Sequence, residues 1–414
     1  MSARRLDCDI AVVGAGPAGQ ALALALAQDG FDVALLDAGS GPAPAPSAAD
    51  LRVFALAPAA TALLASIGAW PPAQAQRVCA YRHMHVWQGD PGDGVHFDAA
   101  SMGWPALGHI VEHGVLQHAL AERVAAEAGI ACRWSVRVEA IARAGGQVEA
   151  GLAGGGTLRA RVLVGADGAA SPVRTLAGIQ ADRVDYGQCG LVANVDTAVA
   201  HAATARQRFL ATGPLAFLPL ADGRSSIVWS LPDAEAQRLL ALGPGDFGPA
   251  LAVAAGGVLG RIELASERAL FPLARQLARE YQHERVVLVG DAAHSVHPLA
   301  GQGLNLGLLD VAALAQVLAA ARARGLDIGG AAVLAHYARW RQGDNALAAR
   351  AFEAIDRLYR LDLPGADLAR SLGQRLLQRL PPLKRRFVEH AAGLAGRVPE
   401  RCRGGTAGAA GNRT

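Results

Sequence analysis

The stretch Arg285–Val317, RVVLVGDAAHSVHPLAGQGLNLGLLDVAALAQV, decides the fold. Val286 to Val289 is too apolar to be solvated, and its length and β-branching suit a buried strand. Gly290-Asp291 falls at the strand end. An irregular run with Pro298, Gly301 and Gly303 follows, where the backbone can approach a ligand closely. Leu304, Leu308, Val311 and Ala315 recur at helical spacing and predict a helix over Leu304–Val317. A carboxylate thus sits at a strand tip, a few residues before a helix whose first N–H groups lack partners within it. The carboxylate can accept from polyol hydroxyls, and the helix start can stabilise negative charge on a heterocycle. A flavin offers both. A strand, loop and helix with no ligand is the plain alternative.

The N-terminus carries a second signature. Cys8 to Val13 reads as a short apolar strand running into Gly14-Ala15-Gly16-Pro17-Ala18-Gly19, a GxGxxG. A helix over Pro17–Gln28, the turn Asp29-Gly30 and a strand over Phe31–Leu36 ending at Asp37 complete a βαβ unit of roughly 30 residues. The glycines let a helix start meet a pyrophosphate, and Asp37 can hold ribose hydroxyls. A tight turn in a Rossmann-like domain without ligand is the other reading. A third signature is Arg161–Gly168, RVLVGADG, with Asp167 at its tip. Ser171 and Pro172 then suit an N-cap and a first helical position.

The chain has 414 residues, too many for one simple core. Net charge is +3, and the positive charge is scattered arginine interleaved with acids, with Lys384 the single lysine. A nucleic-acid surface would be clustered. Five cysteines stand far apart without CxxC, so neither a disulfide framework nor a zinc site follows. No signal core and no stretch of 18 uninterrupted apolar residues is visible, which points to the cytoplasm, with a peripheral place at the inner face of a membrane left open.

Between the signatures, Asp50 to Leu64 reads as helical, with Arg52 placed either to reach a flavin or pyrophosphate or to pair with Asp50. Ile110–Val124 reads as a helix carrying Gln117, and Ile130–Arg161 as a β-meander. Arg82–Phe97, Tyr186–Val195, Gln207–Pro219 and Ser225–Leu231 alternate like strands and suggest one mostly antiparallel sheet. His83 and His85 would share a strand face near His96, but no nearby acid or cysteine completes a metal set, and no metal is expected. After Arg339 the chain reads as helices. A basic amphipathic tail over Ala366–Ala395 suits packing on the body, a membrane surface or a subunit contact, and Arg403–Thr414 reads as disordered.

GAGPAG at 14–19, GADG at 165–168 and GDAAH…P…GQGLN at 290–305 together resemble the class A flavoprotein aromatic hydroxylases, typified by p-hydroxybenzoate hydroxylase. DLRVFALAPAATALLASIGAW at 50–70, MHVWQ at 84–88, IVEHGVLQHAL at 110–120, DYGQCGLVANV at 185–195 and YARWRQGDN at 337–345 narrow this. They resemble the ubiquinone-biosynthesis hydroxylases of the UbiH/UbiI/UbiF type, over about residues 6 to 398. The resemblance implies an α/β fold like that of p-hydroxybenzoate hydroxylase: a Rossmann-type FAD-binding domain (1–75, 105–180 and 281–345), an inserted mostly antiparallel α+β substrate domain (76–104 and 181–280), and C-terminal helices (346–398) before a disordered tail (399–414). It implies FAD, NAD(P)H as co-substrate and O2. By position, Gly14, Gly16, Ala18 and Gly19 would hold the pyrophosphate and Asp37 the ribose. Arg52 and Gln117 would contact the cofactor, and Asp167 would lie where FAD meets the nicotinamide nucleotide. Asp291 would bind the ribityl or pyrophosphate region. Pro298, Gly301, Gly303, Leu304 and Asn305 would line the flavin ring. His113 departs from the pattern, which more usually has Asn after Val-Glu.

The activity so implied is hydroxylation of a polyprenylated phenol in ubiquinone biosynthesis, through a flavin C4a-hydroperoxide, with the catalytic base left unassigned. Possible partners are other ubiquinone-biosynthesis proteins, the membrane surface or a second copy of the chain. A reductase or halogenase of the same fold is the first rival, although the WxWxIP of halogenases is absent. A non-catalytic flavoprotein subunit is the second.

Overall fold

The computed structural model describes residues 5–42, 45–46, 49–70, 77–295, 303–360, 373, 378 and 380–403. Of the basic amphipathic tail expected over Ala366–Ala395, residues 366–372, 374–377 and 379 lie outside these residues, as do 404–414 of the stretch read as disordered, Pro298 and Gly301.

Two large sheets organise the chain. The first has eight strands. Its centre is parallel, with Arg5–Val13 between Thr157–Gly165 and Val33–Leu36, flanked by Val286–Leu288 and Ile130–Arg133. The central residues of these strands are buried in one core shared with helices and with the antiparallel ribbon that carries Val138, Val148 and Ala150. Pro17–Gln28 and Gly303–Ala323 pack on each other within that core. Gly303–Ala323 is long and apolar enough to cross a membrane, but 72% of its most apolar window is buried inside the molecule, as befits a core helix.

The second sheet has nine strands. Ala181–Thr197, Ser225–Pro232, Gly213–Pro219 and Thr204–Leu210 run antiparallel in that spatial order, and His83–Trp87 joins parallel to the last. One face, with Leu191, Leu215, Ile227 and Trp229, is sealed by the helices Asp233–Ala241 and Pro244–Ala254. The alternate residues therefore turn to the other face, toward the nucleotide-binding loops. The stretch 285–317 leaves the first sheet at Leu288, pairs His294–Ser295 with Ala269–Ala278 of the second, and ends in the core helix, so it ties the two sheets together.

Three local expectations are corrected. Val53–Leu56 is a strand, not part of a helix; it pairs antiparallel with Gly108–Glu112, and the helix begins only at Pro58, a proline suited to a first turn. Gly108–Glu112 is likewise a strand, so the helix expected from Ile110 starts at His113. Both segments are short apolar runs whose identity tertiary pairing decides. Ile130–Arg133 is no part of a meander: it joins the parallel sheet beside Val33–Leu36, and the antiparallel ribbon is limited to Val138–Gly165.

Candidate active site

The three strand-tip signatures converge on a cavity of about 950 Å³ between the sheets. On the nucleotide side it is lined by Gly14, Gly16, Ala18, Asp37, Arg52, Asp167, Asp291, Gly303 and Leu304.

The first glycine cluster divides its labour by position. Gly14 has φ +105°, and a Cβ there would overlap the carbonyl oxygen of Ala166. A Cβ on Gly19 would overlap the carbonyl oxygen of Gly14, so Gly19 serves helix-on-strand packing and does not face the cavity. A Cβ on Gly16 would meet nothing within 4 Å. Gly16 is the N-cap of Pro17–Gln28, no side chain caps that helix, and its first turn has no acid. Its positive end is therefore open to an anion. Asp37 accepts from the Ala15 N–H (2.6 Å) and the Gly39 N–H (2.7 Å), which fixes the loop beside that space. Gln117 and Gln20 both donate to the Ala15 carbonyl at 2.7 Å, leaving the Oε1 of each buried without a partner. An open helix start, a glycine with room above it and an orphaned acceptor fit a dinucleotide.

At the second tip, the Asp167 carboxylate accepts from Ser171 Oγ and from the Val173 N–H (2.9 Å), and Ser171 Oγ accepts from the Arg174 N–H (2.9 Å). The expected cap at Ser171-Pro172 is present. Burial raises the Asp167 carboxyl above its usual range, against the pull of these donors.

At the third tip, Gly290 turns with φ +60° against Ala18 and Gly307, which lets the two core helix starts and the strand tip crowd together. Asp291 opens onto the cavity, yet the crowding of protein around it raises its carboxyl; His294 and Arg52 oppose that shift. Among the described residues the Arg52 guanidinium makes no ion pair with Asp50 and instead lies 5.3 Å over the Phe54 ring. Asp50 accepts from the backbone N–H groups of Arg52 (2.9 Å) and Gly114 (3.0 Å). His113, the position that departs from the pattern, also lines the cavity, and burial with neighbouring Arg52 lowers its pKa against Asp50. Asn305 turns its side chain away from the cavity. It is buried, accepts from the Ala57 N–H and donates to the Ala55 carbonyl, both at 2.8 Å, and so clamps the end of the strand that follows Arg52.

Beneath the third tip lies a network to which no role was assigned from sequence. Asp310, fully buried on the core helix, accepts from His294 Nε2 (2.5 Å), Arg341 Nε (2.8 Å), Asn345 Nδ2 (2.9 Å) and the Gly290 N–H (3.2 Å). Burial works to raise the Asp310 carboxyl, but His294 and Arg341 prevail and bring it to about 2. The available signal was an acid inside the apolar run LNLGLLDVAAL. Outside the cavity lining, His85 and His96 stack at 3.9 Å, and among the described residues no group of three His, Cys, Asp or Glu is placed to hold a metal.

Residues 7–342 match the FAD binding domain family. The chain is 38% identical over 394 residues to the ubiquinone hydroxylase UbiL of Rhodospirillum rubrum, covering 95% of this chain and 91% of that one. It is 37% identical over 387 residues to the 3-demethoxyubiquinol 3-hydroxylase of Escherichia coli, covering 93% and 98%. The chain belongs to the ubiquinone-biosynthesis hydroxylases. It is an FAD-dependent monooxygenase of the class A flavoprotein type. Its fold is also that of p-nitrophenol 4-monooxygenase PnpA from Pseudomonas putida (TM-score 0.76, 21% identity, 95% of this chain and 100% of that one).

Proposed function

We propose that this monooxygenase hydroxylates the aromatic ring of a polyprenylated phenol in ubiquinone biosynthesis, consuming O2 and NAD(P)H. The carrying observation is a cavity whose two walls differ. Fingerprint loops form one, and an apolar sheet face with Val192, Ala216, Leu218 and Val228 forms the other. The names of the relatives above support the pathway.

FAD would be held by Gly14, Gly16 and Ala18 at the pyrophosphate and by Asp37 at the ribose. Arg52, Asp167 and Asp291 would serve along its length, with Gln117 behind the loop and Gly303–Leu304 at the ring. When bound, it supplies the redox chemistry that activates O2 with electrons from NAD(P)H. The protein's own task is orientation and exclusion of water. The apolar wall withholds hydration from the reacting ring, and the Gly303–Ala323 helix start offers N–H groups to negative charge. Asp310, Arg341 and Asn345 act one layer back, holding the Gly290 turn from which Asp291 projects. A prenyl tail is apolar, so the enzyme would meet its substrate at a membrane surface or on a carrier.

The test uses purified, FAD-loaded protein with NAD(P)H and a prenylated phenol in detergent. The expected result is phenol-stimulated O2 uptake with a product heavier by one oxygen. NAD(P)H oxidation that no phenol stimulates, with no hydroxylated product, rejects the reading.

A further inference from the structure

Among the described residues the sheet wall of the cavity bears no charged side chain, and most of it is small or apolar: Gly190, Val192, Pro214, Ala216 and Val228. On its central strands two polar side chains interrupt this surface, Gln207 and Ser230. Gln207 is 6% exposed and Ser230 3%. Among the described residues neither side chain has a hydrogen-bond partner. Neither is among the buried polar atoms that lack a partner, so the amide and the hydroxyl open onto the cavity, where a ligand's oxygens can meet them.

Their placement says what that ligand looks like. Gln207 registers with Ala216 and Ala216 with Val228, while Ser230 follows Val228 by two residues on the same face. The two side chains thus rise from strands two spacings apart and are offset by two residues along them, about 12 Å in all. Side chains at that separation reach oxygens on opposite sides of one six-membered ring. Both groups donate and accept, so each suits a phenol hydroxyl or an alkoxy or carbonyl oxygen.

We propose that Gln207 and Ser230 bind two ring oxygens of the substrate and thereby select the ring carbon presented for hydroxylation. The proposal rests on the phenol-hydroxylase reading above. One oxygen held would leave the ring free to pivot; two oxygens held fix its in-plane rotation, which is what regiochemistry requires.

The test compares wild type with Gln207→Leu, Ser230→Ala and Ser230→Thr, all full-length and FAD-loaded, on a prenylated phenol with a short tail that bears a second ring oxygen. KM, kcat and the position of the new hydroxyl are read, with flavin content and melting temperature as checks on folding. Gln207→Leu and Ser230→Ala are expected to raise KM about tenfold and to yield a mixture of regioisomers. Ser230→Thr, which keeps the hydroxyl, is expected to return the wild-type product. Should Gln207→Leu lose flavin, Gln207→Met carries the same expectation. A wild type that hydroxylates the phenol, with Gln207→Leu and Ser230→Ala matching it in KM and product, overturns this inference alone. A wild type that hydroxylates no prenylated phenol overturns the functional reading and this inference with it.

Discussion

The two walls of the cavity are built on opposite principles. The nucleotide wall is made of backbone: glycines at strand tips, helix starts and carboxylates that hold loops through N–H groups. The sheet wall is made of side chains on a regular face, mostly apolar, with the polar Gln207 and Ser230 on its central strands. Backbone contacts tolerate almost no substitution, whereas a side-chain surface can be re-cut without loss of the fold. On the proposed function, a cofactor common to many enzymes and a substrate peculiar to one would be served by separate parts of one cavity.

The sharpest way to break this contrast is Gly19→Val. Its side chain would overlap the Gly14 carbonyl, so the expected cost is about 4 kcal/mol or more, seen as loss of soluble protein or of the unfolding transition. A stable, flavin-bearing Gly19→Val protein would mean that the wall is not set by backbone contact.

Asp310→Asn comes next. It leaves Arg341 buried without its carboxylate partner, and denaturant unfolding at neutral pH should show a loss of about 3–5 kcal/mol. The acid side carries a second sign. The carboxyl titrates at about 2 in the folded chain, below its unfolded value of about 3.9. Its contribution to stability is therefore present above about pH 4 and lost as pH falls toward 2. Asp310→Asn should flatten that part of the stability–pH curve.

How much of this was legible follows the same division. GAGPAG, GADG and GDAAH could be read because each demands particular residue types at fixed offsets from a strand end, and the Ser171-Pro172 cap is written in adjacent letters. Asp310 was not singled out, since its partners Arg341 and Asn345 lie a helix away and only its place inside an apolar run marks it. The resemblance places Asn305 at the flavin ring, and its side chain is engaged by Ala55 and Ala57, a pairing that sequence spacing does not show. Gln207 and Ser230 carried no signal, because alternation in a strand does not say which face meets a cavity.

Asn305→Ala sharpens that point. It strips partners from the Ala57 N–H and the Ala55 carbonyl, and thermal unfolding should report about 2–4 kcal/mol lost. A loss confined to flavin affinity would return Asn305 to the ring. The smallest effect on folding is expected at Gly16, where an added methyl meets nothing in the protein. Gly16→Ala should keep its melting temperature and bind FAD about tenfold more weakly by equilibrium dialysis, roughly 1.4 kcal/mol.

The separation of the two walls is tested most directly by the flavin absorption spectrum of Ala216→Phe during titration with a prenylated phenol. Ala216 lies mid-sheet on the cavity face, between Gln207 and Val228. The expected result is a full complement of bound flavin and no spectral response to phenol, where wild type responds. A wild-type response to phenol in Ala216→Phe, or loss of flavin from an otherwise folded chain, would contradict a division of the cavity between cofactor and substrate.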